Sequence, residues 1–139
     1  MDKNQIKNLV RQMTLKEKAG QVTQLPSRYF QIKGSQLTGT ENKLGITECE
    51  KWQAGSILGK MDAESMRNIQ AENMKRSRLK IPMMFMTDII HGYQTIFPVP
   101  LAMSCSFNPE LVEKSAAVSA KEGSAAGYQV TFSPMVDVV

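Results

Sequence analysis

Apolar residues at Ile6, Leu9, Val10 and Met13 recur at i, i+3, i+4 and i+7, which places them on one face of a helix. Asp2 stands where an N-cap is needed. Thr14-Leu15-Lys16-Glu17 has the spacing in which a hydroxyl and a glutamate three residues on satisfy each other's backbone amides. A second short helix is therefore predicted from Leu15 to about Thr23, with Leu15, Ala19 and Val22 inward and Pro26 ending it. From Ser27 to Glu48 no period holds, and Gly, Thr, Ser, Asn and Gln dominate. A long loop is expected there, with a helical turn near Thr47–Trp52. Loops of that length are uncommon unless functional or mobile. Arg28, Tyr29 and Lys33 lie in it and are read as a solvated connector, with ligand contact the other reading.

Ala54–Gly59 is a short apolar segment between glycines, predicted as a first buried strand. Asp62 caps a helix on which Met66, Ile69, Asn73, Met74 and Ser77 keep helical spacing to about Arg78. Lys75, Arg76 and Arg78 fall in its last turn, where cations oppose the carbonyl end of the helix dipole. The stretch Ile81–Gly92 comes next. A proline opens it, an apolar run follows, and Asp88 ends the run. Buried strands of parallel sheets read as nearly continuous apolar runs, and their C-terminal ends face the ligand in α/β folds. Asp88 is therefore the leading candidate for a site residue.

A glycine and two prolines exclude a helix over residues 91–100, and Leu101–Cys105 is small and apolar. Phe107-Asn108-Pro109-Glu110 is a helix start, with Asn as cap, Pro at the first position and an acid in the first turn. Phe107 and Val112 are spaced for a hydrophobic staple. The helix is predicted to run to Ala126 and stop at Gly127, presenting a small-residue face of Ala116, Ser119, Ala120, Gly123 and Ala126. Val130–Val136 reads as a third strand, with Asp137 near its end. Strands separated by helices give an α/β fold with a parallel sheet and right-handed crossovers. Nothing follows the last strand to cover its side, so the apolar edge is expected to lie against the remainder of a larger fold or another copy.

Composition narrows the function. A chain of 139 residues, 42% hydrophobic and 22% charged, is globular in character rather than disordered. Its formal charge of +4 is dispersed apart from Lys75, Arg76, Arg78 and Lys80, without the dense basic stripe of a nucleic-acid binder. No run approaches the roughly 18 apolar residues of a membrane span, and the opening residues hold no apolar leader, so a cytoplasmic protein is expected. Cys49 and Cys105, with His91 the one histidine, lack metal-ligand spacing. No metal is expected. The cysteines are read as two buried free thiols, a disulfide remaining the other possibility. No glycine-rich phosphate loop follows a strand, and no Gly-x-Ser-x-Gly turn exists, so no cofactor and no serine triad are predicted. Glu122, mid-helix, is read as a solvated or helix-pairing charge. Asp88 and Asp137 both end strands and invite a reading as a catalytic pair; for Asp137 a carboxylate holding loop amides is the favoured reading.

Four motifs, in order, carry a family resemblance over nearly the whole chain. Met13-Thr14-Leu15-Lys16-Glu17-Lys18-Ala19-Gly20-Gln21 resembles the opening motif of glycoside hydrolase family three, the β-glucosidase family. So do Ser77–Pro82 leading into Asp88-Ile89-Ile90-His91-Gly92 and Phe97-Pro98, the segment Ser119–Gly127, and Thr131–Val138. The stretch 27–48 matches weakly. The resemblance implies a partial TIM-type (β/α) barrel: a helical lead-in over 1–26, a long loop over 27–48, and the first three β/α units over 54–139. A full barrel takes about 250 residues.

The same resemblance implies the N-terminal part of a retaining exo-β-glycosidase acting on terminal β-D-glucosyl residues of β-linked glucosides or oligosaccharides. Such enzymes use a nucleophilic carboxylate and a second carboxyl as acid and base. In the family both lie beyond the positions matched here, so no catalytic residue is expected in this chain, and the chain alone is expected to be inactive. Asp88 matches the family's sugar-binding aspartate. His91 and Gly92 match the same motif and are expected to shape the loop beside the site. The alternative is a non-catalytic α/β binding or interaction module that keeps Asp88.

Overall fold

A computed structural model describes residues 1–30 and 45–135, in two compact units, Met1–Met84 and Phe85–Val139. Lys33 and Asp137, singled out above, lie outside the described residues.

In the first unit, helix α1 (Lys3–Gln12) starts at Asp2, whose carboxylate accepts from the amides of Asn4 and Gln5. Helix α2 (Leu15–Gln21) starts at Thr14, with Glu17 closing the reciprocal cap. The predicted inward face of α2 is not the observed one. Leu15 and Val22 are 83% and 88% exposed, and Ala19 is exposed as well. Gly20 is buried instead, because its backbone lies so near Gln53 that a Cβ would collide with that carbonyl.

Strand β1 (Gln24–Pro26) follows, where sequence pattern predicted only a terminating proline. Three residues are too few to show a period, and only Leu25 is buried. β1 pairs in parallel with β2 (Ser56–Leu58), Leu25 opposite Ile57. Between them lie a single helical turn at Ser27–Tyr29 and α3 (Glu48–Lys51), where a helical turn was expected, capped by Thr47. Tyr29 is buried, not solvated, and Arg28 is exposed.

Helix α4 (Ala63–Arg76) is capped by Asp62 and buries Met66, Ile69 and Asn73. Its polar side chains seat the chain ahead of the next strand. Asn73 donates to the Ile81 carbonyl (3.0 Å), and Gln70 bonds both the amide and the carbonyl of Met83 (3.0 Å each). Met84 then donates to the Gly55 carbonyl at 2.9 Å. The basic cluster is spent within this unit. Arg76 pairs with Glu72, Lys80 caps the Met74 and Lys75 carbonyls, and Arg78 grips Glu17 and the Gln12 carbonyl. Arg78 lies two residues past the helix end, not in its last turn.

Strand β3 (Met84–Thr87) pairs in parallel with β4 (Val130–Thr131), Met86 opposite Val130 and Thr87 opposite Thr131. Two helices connect them. α5 (Pro100–Ser104) takes Pro100 at its first position, so the last proline of the loop starts a helix. α6 (Pro109–Ala126) starts at Asn108, which accepts from Glu110 and Leu111, and ends at Gly127 in the left-handed conformation. The staple does not form: Phe107 has φ of 48° and is 92% exposed.

The buried line of α6 is Ser115, Ser119 and Gly123, while Ala116 and Ala120 are exposed. Both hydroxyls turn back onto their own helix, Ser115 to the Val112 carbonyl and Ser119 to that of Ser115. That satisfies both hydroxyls, and Ser115 Oγ also lies 3.4 Å from Met103 Sδ of α5. The cysteines correct the sequence reading too: both are free thiols, but both are exposed. The architecture is α/β, parallel strands alternating with helices, as in the opening of a (β/α) barrel.

Candidate functional site at the end of the third strand

Phe85, Met86 and Thr87 of β3 are buried, as is Ile89, while Asp88 between them is exposed. The exposed position is flanked by anchors. The Ile89 amide donates to the Thr131 hydroxyl at 3.1 Å, and the Ser133 hydroxyl donates to the Ile89 carbonyl at 2.6 Å. Both backbone polar groups of the residue after Asp88 are thus held from the end of β4. Ile89's side chain packs against α6 at Gly123, where any Cβ would collide with its Cδ1. Among the described residues, no group hydrogen-bonds or ion-pairs the Asp88 carboxylate.

The loop after Asp88 closes on itself. Phe97 donates its amide to the His91 carbonyl at 2.7 Å, and His91 Nδ1 lies 3.0 Å from the Phe97 carbonyl. A carbonyl only accepts, so Nδ1 carries the proton in this contact. Gly92 bridges Ile96 in antiparallel fashion. Its φ is +121°, and a Cβ would run into the Thr95 carbonyl. Only glycine fits that turn without strain.

Glu122 departs from its predicted role. Its Oε2 accepts from the amides of Gln94 and Thr95, each at 2.8 Å, and its Oε1 accepts from the Thr95 hydroxyl at 2.6 Å. The Thr95 hydroxyl, then the Thr95 and Gln94 amides, hold its carboxyl below the usual carboxylate range. Its partners lie 27 and 28 residues earlier in the chain. Helical spacing around position 122 carries no sign of them.

Chemically, the unit presents one exposed carboxylate on a seated strand end and one carboxylate consumed by loop backbone. An ionised carboxylate accepts only, and it can take two hydroxyl hydrogens at once. Among the described residues no cluster of His, Cys, Asp or Glu could hold a metal ion.

Residues 14–139 match the family described as the glycosyl hydrolase family 3 N terminal domain. The chain is similar to the periplasmic beta-glucosidase of Salmonella typhimurium, 36% identical over 135 residues, which covers 96% of this chain and 16% of the relative. It is also similar to solved structures of a beta-glucosidase from Listeria innocua. The complex with glucose is 46% identical with a TM-score of 0.91, covering 100% of this chain and 20% of that one. The complex with isofagomine is 45% identical with a TM-score of 0.88, covering 100% and 19%. This chain spans a fifth or less of the length of these relatives.

Proposed function

Because this chain belongs to the glycosyl hydrolase family 3, we propose that it is the opening part of a β-glucosidase barrel and that Asp88 grips hydroxyls of the terminal β-D-glucosyl residue. The whole enzyme acts on β-linked glucosides or oligosaccharides by retention, a carboxylate nucleophile and an acid/base carboxyl flanking the scissile bond. Both lie outside this chain, which binds and orients one side of the sugar. His91 and Gly92 give the loop beside it a single shape. The chemistry needs no metal or organic cofactor, since two carboxyls suffice. The rest of the barrel, or another copy, covers the open edge of the sheet.

One observation carries this reading: an exposed acid at the C-terminal end of a parallel strand, between neighbours that are buried and bonded. The Salmonella relative named as a beta-glucosidase and the Listeria innocua beta-glucosidase, solved with glucose and, as a mutant, with laminaribiose, support the substrate class. No helix among the described residues is long and apolar enough to cross a membrane. The Salmonella relative is named as periplasmic, so the cytoplasmic location expected of this chain is not supported by it.

The test is Asp88→Ala in the natural protein that carries this chain, assayed on a nitrophenyl β-glucoside. Hydrogen bonds to a charged group contribute about 1.5–3 kcal/mol each, so losing two is expected to lower kcat/KM by at least about 100-fold. Unchanged kcat/KM removes Asp88 from the site.

A further inference from the structure

We infer that Glu122 is a positioning residue for the sugar site, holding the 91–97 loop so that Asp88 meets its ligand in one geometry. The inference rests on the reading of Asp88 given above. It starts from two adjacent residues of α6. Gly123 admits the Ile89 side chain, and Glu122 takes three hydrogen bonds from Gln94 and Thr95. One turn of one helix therefore seats the segment after Asp88 at both of its ends.

The carboxylate suits this task better than a neutral group would. Two consecutive amides point at one oxygen and a hydroxyl at the other, and charge-assisted bonds of this kind are roughly twice as strong as neutral ones. Without them, the Gln94 and Thr95 amides lose their acceptor, and the Gly92–Ile96 bridge, the His91–Phe97 closure and the Tyr93–Tyr128 ring contact are left to hold the loop. Glu122 touches no substrate in this account. It acts through the backbone.

The structure also says which replacements keep the arrangement. Glutamine can place its carbonyl oxygen where Oε2 stands and donate from its amide to the Thr95 hydroxyl, which accepts as readily as it donates. Alanine abolishes all three bonds.

In the natural protein carrying this chain, Glu122→Ala is expected to lower kcat/KM on a nitrophenyl β-glucoside about tenfold, mainly through KM. Glu122→Gln is expected to lose no more than about threefold. Amide hydrogen exchange at Gln94 and Thr95 should accelerate in the alanine variant. The decisive measurement is the double-mutant cycle with Asp88→Ala. If Glu122 acts through Asp88, adding Glu122→Ala to Asp88→Ala costs less than about twofold more. A double variant whose loss equals the product of the single losses overturns the inference, as does a Glu122→Ala variant with wild-type kcat/KM. Should Glu122→Ala fail to fold, Thr95→Val removes one of the three bonds and is expected to lose about threefold in the Asp88 background only. Equal loss in both backgrounds overturns the inference. If Asp88→Ala alone costs nothing, the substrate-binding reading fails and this inference with it. A damaging Asp88→Ala beside an inert Glu122→Ala removes this inference alone.

Discussion

Glu17 and Glu122 look alike in the sequence, each an acid on a helix, yet their partners differ in kind. Glu17 closes the cap of its own helix and also pairs with Arg78, which donates to it from both Nε and Nη2 at 3.0 and 2.8 Å. The Arg78 bonds, followed by the Thr14 amide, lower its carboxyl from the ordinary 4.5 to about 2. A folded-state value below the unfolded one stabilises the fold above about pH 4.5 and loses that contribution as pH falls toward 2. Glu17→Gln is therefore expected to lower the melting temperature at pH 7, with the difference from wild type closing by about pH 2. Thermal melts of both proteins across that range check it; a constant difference contradicts the pairing. Gly92 supplies a second prediction at this scale. Gly92→Ala forces a side chain onto φ of +121° and against the Thr95 carbonyl. It should cost roughly 1–3 kcal/mol in denaturant unfolding, the size of backbone strain at such positions.

The helix starts were legible in the pattern because a cap is local. Asp2, Thr14, Asp62 and Asn108 all cap the helices expected of them. A side-chain oxygen reaching an amide two or three residues on leaves a signature inside one short window. Asn108→Ala should accordingly destabilise by about 1 kcal/mol, the ordinary cost of a lost cap, measured by denaturant titration; no change in midpoint contradicts it. Strands and buried faces were less legible. β1 and β4 hold three and two residues, too short for any alternation to register. The buried face of α2 is set by Gly20 against Gln53, and that of α6 by Ser115, Ser119 and Gly123. At α2 the Gln53 backbone against Gly20 displaces the bulkier apolar face that hydrophobicity selects; at α6 Ser119 and Gly123 of the expected small-residue face are buried, Gly123 against the Ile89 side chain, while Ala116 and Ala120 are not.

For the whole molecule, the share covered bears on what this chain is expected to do alone. It spans 16–20% of the relatives it resembles, and a retaining glycosidase needs two carboxyls acting together. The purified 139-residue chain is expected to turn over no nitrophenyl β-glucoside, and saturable turnover above a buffer control contradicts that expectation. Leu101 and Phe107 are 79% and 92% exposed, and Ile96 and Leu111 are more than half exposed. Apolar side chains so placed make self-association the expected state of the isolated chain. Light scattering at high concentration should report oligomers, and a monodisperse monomer contradicts it.

What the amino-acid sequence determined by itself was everything whose cause lies within a few residues: the caps, the ends of α6, the apolar run into Asp88 and the glycine turn after it. The tertiary structure decided the pairings that join distant positions. Arg78 finds Glu17 across 61 residues, and Glu122 finds Gln94 across 28. No period or motif encodes such contacts, because the partners become neighbours only when parallel strands draw their intervening helices together. The acid proposed to meet the sugar could be nominated from the chain; the acid that bonds the loop after it could not.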